Sequence, residues 1–269
     1  MSETKAITKT KEPLHKESLI KKFRSMGIKK DDIVLVHSSL SKLGFVIGGA
    51  QTVVESLLET LSEGTLVMPT HSADLSDPKN WQNPPVPTDW HKMIYQHMPA
   101  FNKDITGTRG MGKIPETLLR MQKSVRSNHP QTSFTALGSK AIEITENHAL
   151  TPMFGLDTPL GKLYKLPTKI VLLGVSFDSC TAFHLSEVLT EKLSMKSEGA
   201  PLIIEGKRQW IAFEDYDYTD SDFMSFGDVL IEKGIAKVYT IGLTNAIILP
   251  FKQSVDIVKA LIIETRFND

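Results

Sequence analysis

KIVLLGVSFDSCTAFHLSE, residues 169–187, is the stretch whose reading decides the fold. Its first half, "KIVLLGVSF", is a short and almost unbroken apolar run, the pattern of a central strand covered on both faces. It passes directly into "TAFHLSEVLTEKL", where apolar residues recur at helical spacing. With a helix starting near Thr181, the residues His184, Glu187 and Glu191 fall at i, i+3 and i+7 and share a polar stripe. Leu185, Val188, Leu189 and Leu193 form the apolar stripe beside it. His184 thus stands in the first helical turn at the exit of a strand, and open α/β sheets bind ligands beyond the carboxyl ends of their strands. An imidazole there titrates near neutral pH and acts as a general base once a carboxylate orients it. The plainer reading is a surface histidine opening an ordinary helix.

The same alternation extends in both directions. "KESLIKKFRSMGI" (16–28) has helical spacing, "DIVLVHSS" (32–39) is a buried strand, "QTVVESLLETL" (51–61) is a helix and "TLVMPTHS" (65–72) is the next strand. Further helices are predicted in 114–124, 139–148 and 159–166, with closing helices at 221–234 and 253–267, and "RQWIAFEDYDY" (208–218) reads as a strand. This order predicts an α/β fold: a mixed, largely parallel central sheet with helices on both faces. One domain over residues 1–269 is expected, with a polar arm at 1–15. The region 74–108 is irregular. "DLSDPKNWQNPPVPTDWHKM" carries four prolines and two tryptophans, and so long a loop is either the wall of a substrate cleft or a surface excursion.

Composition narrows the function classes. Acidic and basic residues balance at 31 each, so no overall field points to nucleic acid or an anionic membrane. No apolar run approaches the roughly 18 residues of a membrane span. The single cysteine, Cys180, has no internal partner for a disulfide, and the first residues lack a signal-peptide core. A cytoplasmic protein is expected. Nothing in the sequence speaks to oligomeric state.

Four other stretches carry candidate chemistry. In "VHSSLSKLGFVIGGAQ" (36–51), His37 ends a strand, and a loop with Ser38, Ser39, Leu40 and Ser41 leads to a helix starting near Gly49. This loop is either a phosphate site at a helix N-terminus or a simple turn. "DITGTRGMGKIPE" (104–116) places Gly110, Met111 and Gly112 in a flexible loop, with Arg109 and Lys113 able to meet an anion. "VRSNHPQTSFTALG" (125–138) holds Arg126, Ser127 and His129 ahead of a strand. "FEDYDYTDSD" (213–222) gathers Glu214, Asp215, Asp217, Asp220 and Asp222, a source of a carboxylate for His184 and of attraction for a polycation.

Taken together and in order, "VLVHSSLSKLGFVIGGAQTVVESLL", "GTLVMPTHS", "TGTRGMGKIPE", "RSNHPQTSFTALG", "TPLGKLY", "VLLGVSFDSCTAFHLSE" and "WIAFEDYDY" resemble the aminoglycoside N3-acetyltransferase family over about residues 30–220. The resemblance implies an acyltransferase that moves acetyl from acetyl-CoA to the 3-amino group of a deoxystreptamine antibiotic, and so antibiotic resistance. It implies a cationic amine as acceptor and no metal. It further implies a histidine base at His184, paired with Asp215 or, in its place, Glu214 or Asp217, with Glu187 in support. The coenzyme contacts it implies are His37, Ser38, Ser39, Leu40, Ser41, Gly110, Met111, Gly112, Arg126 and Ser127. The segment "YTDSDFMSFG" and the region 74–108 depart from the family pattern, which bears on the acceptor.

Two rivals stay in view. "GVSFD" (174–178) resembles a nucleophile elbow with Ser176, although Asp178 occupies the place of the second glycine and His184 precedes every candidate acid, the reverse of a hydrolase. A protein that binds CoA without transferring acetyl is the non-catalytic alternative. A metal held by His184 and Glu187, or by His71, His91 and His97, lacks a compact ligand set.

Overall fold

The computed structural model describes residues 3–268. Helices α1 (Glu3–Lys9) and α2 (Lys16–Ser25) precede β1 (Ile33–Ser38), α3 (Gly49–Thr60) and β2 (Thr65–Pro69). Helices α4 (His91–His97) and α5 (Lys113–Leu119) follow, then β3 (Val125–Arg126), β4 (Phe134–Gly138), α6 (Ala141–Thr145) and α7 (Pro159–Lys165). Next come β5 (Thr168–Leu173), α8 (Ala182–Val188), β6 (Met195–Ile204) and β7 (Lys207–Tyr216). The chain closes with α9 (Phe223–Glu232), β8 (Lys237–Ile241), β9 (Thr244–Pro250) and α10 (Phe251–Arg266).

The main sheet is mixed, with strand order β3-β4-β2-β1-β5-β9-β8. Its centre is parallel: β1 pairs with β2 on one side and with β5 on the other. The flanks are antiparallel, through β4 and β3 on one edge and β9 and β8 on the other. Parallel pairing is therefore narrower than the sequence suggests, because β8 and β9 are joined by only Gly242 and Leu243, and so short a link permits only a hairpin. Side chains of β1 alternate between two cores. Leu35 packs with Ile170, Leu172, Phe183 and Val258 on the face carrying α7, α8 and α10. Val34 and Val36 pack with Val53, Leu57 and Val171 on the face carrying α2 and α3. Helices thus cover both faces, which is why β1 and β5 read as nearly continuous apolar runs.

Several local expectations change. The arm at 1–15 is not merely polar, since Ala6 and Leu14 are buried and Leu14 bridges to Val46. Helix α8 stops at Val188, where the Thr190 hydroxyl donates to the Glu187 carbonyl at 2.7 Å and Glu191 turns to a φ of 57°. Glu191 therefore leaves the polar stripe, while His184 and Glu187 stay on it. Strand β7 pairs over ten residues with β6, a partner the sequence did not reveal, in a hairpin apart from the main sheet. The region 74–108 packs on that hairpin: the Tyr95 and Trp210 rings lie 4.7 Å apart, and Arg208 Nε donates to the Met98 carbonyl at 2.9 Å.

Candidate active site

The three parallel strands end level with one another, His37 opposite Leu172 and Ser38 opposite Leu173. A histidine accompanies each: His37 next to last in β1, His71 just after β2, and His184 in the first turn of α8, the helix that β5 leads into. All three line one cavity of about 310 Å³, together with Ser38, Gly110, Met111, Phe154, Asp178 and Asp220. A second, open groove of about 840 Å³ runs from it beneath the β8–β9 turn, bounded by Ser39, Lys42, Ser176 and residues 242–245. Val175, Asp178 and Ser179 belong to both walls, so the groove and the cavity meet at the strand-to-helix link of the opening stretch.

His184 is held on several sides. Its Nδ1–H donates to Glu187 Oε2 at 2.6 Å, an i, i+3 contact within α8. Phe154 stacks on the imidazole at 4.8 Å and 18°, Phe223 lies at 4.9 Å, and the Tyr218 ring stands edge-on at 5.5 Å. The ring retains 18% exposure, toward the cavity. With Nδ1–H committed to a carboxylate, the neutral ring carries its lone pair on Nε2, the tautomer a base requires. Burial pushes His37 and His71 down to about 3, with neighbouring imidazole charge adding to the effect, so both rings are neutral at physiological pH. Neither His37 Nε2, His71 Nε2 nor Ser38 Oγ has a hydrogen-bond partner among the described residues.

The partner expected from the acidic segment is not the one observed. Asp215 does not pair with His184: Oδ2 accepts the Met153 N–H at 2.9 Å, while Oδ1 accepts from the Tyr216 N–H at 2.7 Å and the Tyr218 hydroxyl at 2.9 Å. Burial raises this carboxyl, against the pull of its three donors. Asp215 thereby pins the two segments whose rings, Phe154 and Tyr218, pack on His184. Asp217 is exposed beside Lys196, and Glu214 contributes its carbonyl to Thr151.

Of the expected coenzyme contacts, His37, Ser38, Ser39, Gly110 and Met111 come together around the two cavities. Leu40, Ser41 and Gly112 line neither. Arg126 and Ser127 are buried elsewhere: the Arg126 guanidinium donates to the Ser133 hydroxyl at 2.9 Å and to the carbonyls of Thr70 and Thr106, and the Ser127 hydroxyl meets His148 Nδ1 at 2.9 Å. They tie β3 to the segments after β2, a task in which an arginine's fixed fork suits carbonyls as well as anions. Arg109 is likewise engaged, with Asp74 and the Asn83 carbonyl. Ser176 donates to Asp178 at 2.7 Å and meets no histidine, which removes the basis for an elbow nucleophile. Among the described residues, no three or more His, Cys, Asp or Glu side chains converge in a metal-holding arrangement. Lys42, Phe154 and the β8–β9 turn went unread. The glycine in "YTIGLTNAI" between two β-rich runs was the available hairpin signal.

Fold and site together define an α/β protein with an oriented histidine at the carboxyl edge of its parallel strands. Residues 35–262 match the family model described as aminoglycoside 3-N-acetyltransferase, and the chain belongs to that family. It is 40% identical over 254 residues to the SPbeta prophage-derived aminoglycoside N(3')-acetyltransferase-like protein YokD of Bacillus subtilis (strain 168), covering 94% of this chain and 93% of that one. The crystal structure of YokD superposes with a TM-score of 0.96 over 99% of each chain at 38% identity. Aminoglycoside N(3)-acetyltransferase IX of Micromonospora chalcea is 31% identical over 229 residues, 83% of this chain and 80% of the relative. The structure of aminoglycoside acetyltransferase AAC(3)-Xa matches with a TM-score of 0.89 at 26% identity over 97% of each chain. No helix among the described residues is long and apolar enough to cross a membrane.

Proposed function

We propose that the protein is an acetyl-CoA-dependent N-acetyltransferase that acylates an amino group, the 3-amino group of an aminoglycoside or of a similar polyamine, by direct transfer with His184 as general base. The observation that carries this reading is the posture of His184. Its Nδ1–H is tied to Glu187, and Nε2 is left without a protein partner among the described residues in a cavity that opens into a long groove. The groove suits the extended coenzyme, with Lys42 placed for a phosphate and Ser39 and the β8–β9 turn along its length. The acetyl thioester would then lie at the junction near residues 175–179. Asp178 and Asp220, both on the cavity wall, supply the negative charge that receives a cationic acceptor.

An ammonium has no lone pair, so the acceptor first gives up one proton to solvent and reacts as the neutral amine. The amine nitrogen bonds to the acetyl carbon as a second proton passes from it to His184 Nε2. Collapse of the tetrahedral intermediate breaks the carbon–sulfur bond, and the proton returns to the departing thiolate. Ser38 Oγ, buried and unpartnered in the same cavity, is the side-chain donor best placed for the developing oxyanion. Glu187, rather than Asp215, takes the orienting role.

The test is release of free thiol from acetyl-CoA across a panel of deoxystreptamine aminoglycosides and simple polyamines, wild type against His184→Ala. Loss of the base is expected to lower turnover roughly 10²- to 10⁴-fold. Undiminished turnover by His184→Ala removes the proposed base. Coenzyme binding without thiol release from any acceptor favours a binding protein instead.

A further inference from the structure

We propose that Arg266, in the last turn of α10, is a positioning residue for the proposed base, holding Glu187 so that Glu187 holds His184; the inference rests on the reading of His184 as general base. The Glu187 carboxylate is fully buried, and each of its oxygens has a defined task. Oε2 accepts the His184 Nδ1–H at 2.6 Å. Oε1 accepts the Thr219 N–H at 3.1 Å and Arg266 Nη1–H at 2.6 Å. The guanidinium is itself fixed. Its Nε donates to Asp222 Oδ2 at 2.6 Å, and Nη2 donates to Asp222 Oδ1 and, at 3.3 Å, to the Thr219 carbonyl. That two-pronged grip sets the plane of the group and leaves Nη1 aimed at Glu187.

The register that makes this possible is also built in. Ser186, next to Glu187, donates its hydroxyl to the Val255 carbonyl of α10 at 3.0 Å, both groups buried. The shared packing of α8 and α10 carries the last turn of α10 to Glu187, 79 residues away in sequence.

Without Arg266, Oε1 would keep only the Thr219 N–H, and the carboxylate would be free to turn about its side-chain bonds away from Nδ1. The His184 ring would then lose the contact that fixes both its tautomer and its rotation. The charge-assisted bond from Nη1 fixes the plane of the carboxylate, so that Oε2 stays on Nδ1. The effect is on orientation and not on either ligand, because Arg266 lines neither the cavity nor the groove.

The experiment compares Arg266→Ala, Asp222→Asn and His184→Ala with wild type by two readouts. In proton NMR, the low-field resonance of the Nδ1–H bonded to Glu187, identified by its loss in His184→Ala, should disappear or move upfield in Arg266→Ala. In steady-state kinetics, kcat should fall about 10- to 100-fold, the size typical of partners that orient a functional imidazole. KM for acetyl-CoA and for the acceptor should stay within roughly twofold. Millimolar guanidinium should restore part of the rate to Arg266→Ala and none to His184→Ala. If Arg266→Ala fails to fold, Asp222→Asn, which loosens the grip while keeping the cation, should show the same pattern in smaller degree. An unchanged resonance with unchanged kcat in a folded variant overturns the inference, as does a loss confined to KM. A normal rate in His184→Ala overturns the general-base reading itself, whereas an inactive His184→Ala beside a normal Arg266→Ala overturns only the role of Arg266.

Discussion

Two carboxylates close to His184 in sequence or in space compete for the role of orienting it, and their hydrogen bonds decide between them. Asp215 receives three donors, none of them the imidazole, whereas Glu187 turns one oxygen to Nδ1 and the other to Thr219 and Arg266. The i, i+3 spacing of His184 and Glu187 was legible because helical periodicity alone puts them on one face. The engagement of Asp215 was not, because its donors come from residues 153, 216 and 218, two of them at the end of β7 and just beyond it but one from a distant loop. Cys180 lies in the same linking segment, fully buried, and burial pushes its thiol up to about 12. The thiolate needed for an acyl-enzyme is therefore out of reach at neutral pH. Cys180→Ser should retain most of the wild-type rate of thiol release while losing about 1–3 kcal/mol of stability from the buried hydroxyl. Labelling by a thiol reagent should require unfolding. A collapse of the rate in a folded Cys180→Ser would point instead to a covalent route through Cys180.

Among the elements, the β8–β9 hairpin matters most to the groove and left the faintest trace in the sequence. Its turn depends on Gly242, at a φ of 56°, where an added Cβ would stand 2.0 Å from the Leu43 carbonyl. That carbonyl belongs to the loop after β1 and accepts the Leu243 N–H at 3.1 Å, so the turn and the serine loop are held together as one wall. Gly242→Ala should therefore cost about 1–3 kcal/mol in denaturant unfolding and weaken CoA binding by calorimetry. A variant unchanged in both would show that the turn has no part in the groove. The region 74–108 behaves in the opposite way: its prolines and tryptophans signalled an unusual loop, but pattern does not reveal what a loop packs against. It covers the β6–β7 hairpin, with Asn80 donating to the Ser197 carbonyl at 3.2 Å, and lines neither the cavity nor the groove.

For the molecule as a whole, buried histidines set the response to acid. Burial lowers His37 and His71 to about 3, His129 to about 4 and His148 well below its usual value. The unfolded chain binds protons on these groups below about pH 6.5 and the folded chain does not, so their contribution is complete above that pH. It is lost as pH falls from about 6.5 toward the folded values, by up to about 1.4 kcal/mol per pH unit for each histidine. Asp215, raised by burial, acts in the opposite sense, gaining stability on acidification. The denaturant midpoint should fall between pH 7 and pH 5, and calorimetry in buffers of different ionisation enthalpy should register about four protons taken up on unfolding near pH 5. A midpoint unmoved over that range would show that these rings are accessible or already charged in the folded state.

Local periodicity by itself determined the central strands, the helices that cover them, the placement of His184 at a strand exit and its pairing distance to Glu187, because those features depend on neighbours within one or two turns. The ordered motifs also carried the family resemblance. Only the tertiary structure decided that Glu187 and not Asp215 meets the imidazole, that Arg126 and Ser127 hydrogen-bond within the framework, that β8 and β9 border the groove, and that Arg266 meets Glu187. These are contacts between segments far apart in the chain, and hydrophobic pattern specifies which face of an element is buried without specifying which distant element will cover it.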